Sequence, residues 1–113
     1  MSQSLTKIFS HIIFSTKYRV PMIDDVIEEE LFSYLGGICK QLECNPLQVG
    51  GFRDHVHVLS FKKNALMKLI EIIKKSSSIW IKTKGQDYSN FYWQGGYAAF
   101  SVNPRDVKRV IVH

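Results

Sequence analysis

From residue 5 to residue 16 the apolar positions alternate, Ile8, Ile12 and Phe14 against Lys7, Phe9, His11 and Ile13, which predicts a strand. Both of its faces are largely apolar, so it belongs at the centre of a sheet. The period then lengthens. Val26, Ile27, Leu31, Tyr34, Leu35, Ile38 and Leu42 recur at three- and four-residue steps. This spacing predicts a helix capped by Asp24 or Asp25, running to about Cys44 and ended by Asn45-Pro46. Gly36 and Gly37 in its middle weaken it by roughly 1 kcal/mol each, which predicts close backbone packing against the sheet. Leu47 to Phe52 and His55 to Phe61 read as two strands of a tight hairpin turning at Arg53-Asp54, with a bulge or turn at Gly50-Gly51. A second helix, capped by Asn64, turns Leu66, Leu69, Ile70, Ile73, Ser77, Trp80 and Ile81 inward and Lys68, Lys75, Ser78 and Lys82 outward. After Gly85 comes an aromatic strand region, Asn90 to Val102, bent at Gly95-Gly96, whose aromatics read mainly as core. Asn103-Pro104 opens a third helix with Val107, Val110 and Ile111 facing inward.

Strand, helix, strand, strand, helix, strand is the ferredoxin-like β-α-β-β-α-β order. The expected fold class is therefore α+β, an antiparallel sheet with helices over one face, plus a short C-terminal helix. A chain of 113 residues, 45% of them hydrophobic, has the size of a single domain spanning residues 1–113. No repeat or linker interrupts it. No apolar run has the length of a membrane span and the N-terminus lacks the regions of a signal peptide, so the expected location is cytoplasmic. Cys39 and Cys44 have neither a zinc-knuckle spacing nor a disulfide framework and read as reduced thiols.

Charge is placed unevenly. The formal net charge is +5, and Lys62 to Lys84 holds seven lysines against Glu71 alone, whereas Asp24 to Glu30 holds five acids and no base. Such a segment is a common solvated face, but it also suits a polyanion, nucleic acid before an anionic membrane surface. Lys17-Tyr18-Arg19 offers two cations around an aromatic ring, and Lys74-Lys75-Ser76 offers charge and hydroxyl donors for phosphates.

The sharpest chemistry is His55-Val56-His57. On a strand these imidazoles share one face, roughly 7 Å apart, where they can share a divalent cation. A hydrogen-bonded histidine beside a solvated one is the ordinary alternative. Asp54 is a candidate acceptor for a ring N–H and Arg53 a candidate contact for an anion. His11 either lies near that face as an auxiliary polar group or is a satisfied sheet histidine, the reading we favour.

Ile12 to Arg19, Asp54 to Val58, Lys74 to Ser78 and Trp93 to Val102, in this order, resemble the single-tyrosine HUH transposases of small bacterial insertion sequences and their relatives associated with repetitive extragenic palindromes. The resemblance spans almost the whole chain. It implies a transposase that binds single-stranded or hairpin DNA and cleaves and rejoins strands, as a homodimer with composite sites. It implies that His55 and His57 bind a divalent cation, Mg2+ or Mn2+, and with DNA as the partner the residues expected to meet it are Lys17, Tyr18, Arg19, Arg53, Lys74, Lys75 and Ser76. The family's nucleophilic tyrosine belongs on the C-terminal helix near His113, and neither it nor the Gln that follows it is present. The expectation is a domain lacking the end of that helix, which binds DNA without forming a phosphotyrosine. Two other readings compete: a non-catalytic nucleic-acid-binding module of RNA-recognition type, and a metal-dependent phosphoester hydrolase, which would need several carboxylates near the histidines.

Overall fold

The computed structural model describes residues 9–61 and 66–106. Its main elements are β1 (Phe9–Ser15), α1 (Glu28–Gln41), β2 (Asn45–Phe52), β3 (His55–Phe61), α2 (Leu66–Lys82) and β4 (Ala98–Val102). The four strands form one antiparallel sheet in the order β2-β3-β1-β4, the ferredoxin-like order, with β3 and β1 at its centre. Alternation along the central strands sends Ile12, Phe14, Val56 and Val58 to one face. There they join Leu31, Leu35 and Ile38 of α1 and Leu69, Ile70, Ile73 and Ile81 of α2 in a single core. The odd-numbered positions face the other way: Ile13 is opposite His57, Ser15 opposite His55, and His11 opposite Phe100.

Several local expectations are corrected. α1 begins at Glu28 and ends at Gln41, and Val26 is 82% exposed rather than part of the inward stripe. Asp24 still caps this end. Its Oδ1 accepts from the amides of Val26 and Ile27, both at 3.0 Å, and its carbonyl accepts from the Glu28 amide. The helix is stopped by Glu43 in the left-handed region, φ +59°, while Asn45-Pro46 already belongs to β2. Gly36 faces Val49 of β2 at ordinary contact distance, but Gly37 meets nothing close. The bulge lies between Pro46 and Gln48, not at Gly50-Gly51. Of the aromatic region only Ala98–Val102 is strand; Trp93 makes an isolated bridge to Thr16, and Phe91 is buried whereas Tyr92, Tyr97 and Phe100 are exposed. Asn103 Oδ1 accepts from the Arg105 amide at 3.2 Å and opens a short 3-10 turn at Pro104–Asp106. Residues 5–8, the expected cap at Asn64 and positions 107–113 of the third helix lie outside the described residues. Cys39 and Cys44 are buried and not joined in a disulfide.

Asp24 also ties the start of α1 to the far end of the chain. The Tyr88 hydroxyl donates to both of its carboxylate oxygens, each at 2.9 Å. Burial, reinforced by Asp24, pushes the Tyr88 phenol up from 10.0 to about 12. Folding thus favours the protonated phenol, so this contribution is complete below pH 10 and is lost as pH rises toward 12. Melting temperatures across that interval should fall more steeply for the natural sequence than for Tyr88→Phe; parallel slopes would contradict the assignment.

Candidate cation and phosphate site

His55 opens β3 directly after the Arg53-Asp54 turn, so the hairpin places a carboxylate next to the first imidazole. Asp54 Oδ1 lies 2.9 Å from His55 Nδ1, and Asp54 Oδ2 takes the Arg19 Nε–H at 3.1 Å. These two contacts, that of His55 first, hold the Asp54 carboxyl below the usual carboxylate range. An ionised carboxylate only accepts, so a neutral His55 carries its proton on Nδ1 and keeps the Nε2 lone pair for a ligand.

Arg19 reaches Asp54 because the chain after β1 makes a 3-10 turn over Lys17–Arg19, with Tyr18 and Arg19 both left-handed at φ 57° and 56°. Neither is glycine, and this conformation costs roughly 1–2 kcal/mol per residue. Buried Thr16 fastens the turn: its amide donates to the Asp54 carbonyl at 2.9 Å and its hydroxyl to the Val20 carbonyl at 2.7 Å. The Ile23 amide adds a bond to the Arg53 carbonyl at 2.9 Å, so the turn and the hairpin tip form one unit.

His57 lies one step deeper on the same face. Its ring meets that of His11 edge to face, with centroids 5.4 Å apart, so His11 joins the histidine pair as the auxiliary polar group and is not a satisfied sheet histidine. Among the described residues, His57 Nδ1 and His11 Nε2 are buried without a hydrogen-bond partner. Burial, then the neighbouring His11 and His55, push the His57 pKa below the ordinary histidine value; burial lowers that of His11 as well. Both rings are therefore neutral at neutral pH, the form that binds a cation. Gly50 sits opposite His57, and a Cβ there would stand 3.1 Å from its Nε2, so this glycine makes the room the ring occupies.

These observations fit a cation held by His55 and His57. The His57 Nδ1, buried without a partner among the described residues, is the polar atom that packing alone leaves unexplained. The two histidines would supply only part of a ligand set, since no three His, Cys, Asp or Glu side chains gather among the described residues. Phosphate oxygens and water suit the remaining positions of a hard cation.

A cleft of about 380 Å³ opens beside His55, lined among others by Ser15, Arg19, His55, Gly96, Tyr97 and Ala98. Gly95, Gly96 and Tyr97 also form one wall of a second groove, where Lys75, Ser78, Tyr92 and Met67 stand. Lys74 fixes this shared wall by donating to the carbonyls of Gln94 at 2.6 Å and Gly96 at 2.9 Å, and burial lowers its pKa. Gln94 in turn accepts the Tyr18 amide on its side chain at 3.0 Å. Lys17 stands over the rings of both Tyr18 and Tyr92, and Lys82 lies 4.1 Å from the Tyr92 centroid.

The structure thus brings Arg19 to His55, sets Lys17 and Tyr18 against Tyr92 and Gln94, and uses Lys74 to shape the cleft. It leaves Lys75 in the neighbouring groove. Arg53 leans toward Asp25, at 3.9 Å, and over the Phe52 ring, and Ser76 takes part through its carbonyl, which accepts from the Tyr34 hydroxyl at 3.4 Å. Sequence reasoning missed Thr16, Gly50, Tyr92 and Gln94. For Gly50 the signal was present, a glycine facing the second histidine across the hairpin; the others act through contacts that no local pattern announces.

A family model described as IS200-like transposase matches residues 4–112. Among solved structures, a Deinococcus radiodurans R1 protein provisionally named a transposase superposes with TM-score 0.77 at 19% identity, over 94% of this chain and 87% of that one. A transposase of the tyrosine type associated with repetitive extragenic palindromes, solved bound to a hairpin of that palindrome, superposes with TM-score 0.66 at 10% identity; 92% of this chain is covered, spanning 62% of that one. No curated protein matches the chain.

Proposed function

Because the chain belongs to the IS200-like transposase family, we propose that it binds single-stranded or hairpin DNA and holds a phosphodiester for metal-assisted, tyrosine-dependent cleavage and rejoining. The observation that supports this most directly is the cleft where Arg19 and the Asp54-clamped His55 stand together, on the sheet face that also carries His57. An anionic phosphate entering there meets the guanidinium, with the Lys17–Tyr18 turn beside it for the adjoining nucleotide. His55 and His57 would hold Mg2+ or Mn2+, which when bound supplies a Lewis acid for the charge developing on the phosphate. The structural neighbour bound to a palindrome hairpin supports the choice of DNA.

Exposed aromatics offer a second reading. Phe52 and Phe100, each 58% exposed, lie on the histidine face and would stack bases in an RNA-recognition-type module. They stand on the outer strands, however, and the central strands present histidines at the corresponding positions. A homodimer is part of the proposal, supported by β4, an edge strand whose Ala98 to Ser101 are exposed. No helix among the described residues is long and apolar enough to cross a membrane.

Titrating a fluorescent hairpin with single-stranded flanks should give an affinity that falls about a thousandfold or more between roughly 50 and 200 mM salt, as for six or more phosphate contacts. A salt-independent affinity would overturn the DNA reading. The family's tyrosine position, near His113, lies outside the described residues, and residues 103–113 contain no tyrosine. With Mn2+ present, the polypeptide of this sequence is accordingly expected to hold the hairpin without forming a covalent band.

A further inference from the structure

The Arg19 guanidinium uses only Nε on Asp54, at 3.1 Å. Its Nη groups have no partner among the described residues, and Arg19 is 68% exposed along its side chain while lining the His55 cleft. The residue is placed there by two consecutive left-handed positions that Thr16 holds against the hairpin, and backbone strain of this kind persists where the surroundings enforce it and often marks function.

We propose that Arg19 is a positioning residue that joins substrate phosphate to the histidine site: its Nε edge fixes Asp54, which fixes His55 with the proton on Nδ1, while its Nη edge receives the phosphate. The inference rests on the function proposed above for this cleft. A guanidinium presents several N–H groups in a rigid plane, so one side chain can serve two anions on two edges, which the point charge of lysine cannot do. A phosphate on the Nη edge immobilises the plane and, through it, the carboxylate and the ring. By reciprocity, a firmly held His55 favours the phosphate. No bond is made or broken in this device; its effect is to set which nitrogen of His55 is free before a cation arrives.

The test uses metal-free protein labelled with 15N in its histidines, above the histidine titration range, where long-range proton–nitrogen spectra report which nitrogen carries the proton. The natural sequence should show His55 predominantly as the Nδ1–H tautomer, more so after addition of inorganic phosphate. Arg19→Gln should turn His55 into a mixture of tautomers. Arg19→Lys, which keeps the charge, should restore neither the single tautomer nor the response to phosphate. The His57 signals serve as the folding control and should not change. Mn2+ affinity, measured by calorimetry, should fall about tenfold or more in both variants, within the 10–100-fold range seen when outer partners of metal-binding histidines are removed. A wild-type His55 spectrum and Mn2+ affinity in Arg19→Gln, or full rescue by lysine, would overturn the proposal. If the natural sequence bound no Mn2+ at all, the cation half of the proposed function would fall, and the tautomer measurement would still decide the role of Arg19.

Discussion

Gly51→Ala should unfold the site rather than adjust it. An added Cβ would run into the His55 carbonyl and stand 2.8 Å from Val56 Cα, both backbone atoms of the neighbouring strand. Residue 51 also has φ +156°, a conformation that side chains rarely adopt. No rotamer relieves a clash between backbones, so the β2-β3 hairpin must separate or lose its register there, and the turn that carries Asp54 moves with it. Overpacking and strain each cost roughly 1–3 kcal/mol, giving about 3 kcal/mol or more together. For a domain of this size that lowers the melting temperature by roughly 10–20 °C. Thermal denaturation followed by circular dichroism checks this, and a variant melting within a few degrees of the natural sequence would show that the hairpin gives way more easily than its packing implies.

His57→Ala should do the reverse, sparing the fold and removing the cation. The imidazole is half-buried with Nδ1 unpartnered among the described residues, and such an orphaned buried polar atom costs roughly 1–3 kcal/mol. Its removal offsets much of the packing lost with the ring, so stability should change by about 1 kcal/mol or less. Mn2+ affinity should fall by more than the 10–100-fold typical of outer partners, because the lost group is one of the two proposed ligands. Calorimetric titration with Mn2+ beside a denaturant melt separates the two quantities. Retained cation binding in this variant would remove His57 from the proposed ligand pair.

The two predictions differ in how far sequence alone could reach them. The histidine pair and the Asp54 carboxylate are neighbours along the chain, and strand alternation placed both rings on one face. The inward stripe of α2 was legible for the same reason, since Leu69, Ile70, Ile73, Ser77 and Ile81 are all buried at helical spacing. Gly51 reads in the sequence as part of a bulge or turn because a glycine needed for close approach carries the same local signal as one needed for a kink. Arg19 reads as a phosphate contact, but its bond to Asp54 spans 35 residues and depends on a left-handed turn without Gly or Asn to announce it. Tyr88 and Asp24, 64 residues apart, are invisible as a pair in the sequence, and Lys74 reads there as a phosphate contact although two carbonyls occupy it. In each case the missing information was tertiary.

The pairing of β1 with β4 reaches further than the site. Phe9 is in register with Val102, so the central strand obtains its second neighbour only from the far end of the described chain. During synthesis β1 can pair with β3 as soon as the hairpin has emerged from the ribosome, yet its other edge stays bare until β4 follows. A nascent chain of this protein therefore carries an open, apolar strand edge while residues 16–97 are made, and that window of vulnerability to aggregation closes only when β4 arrives.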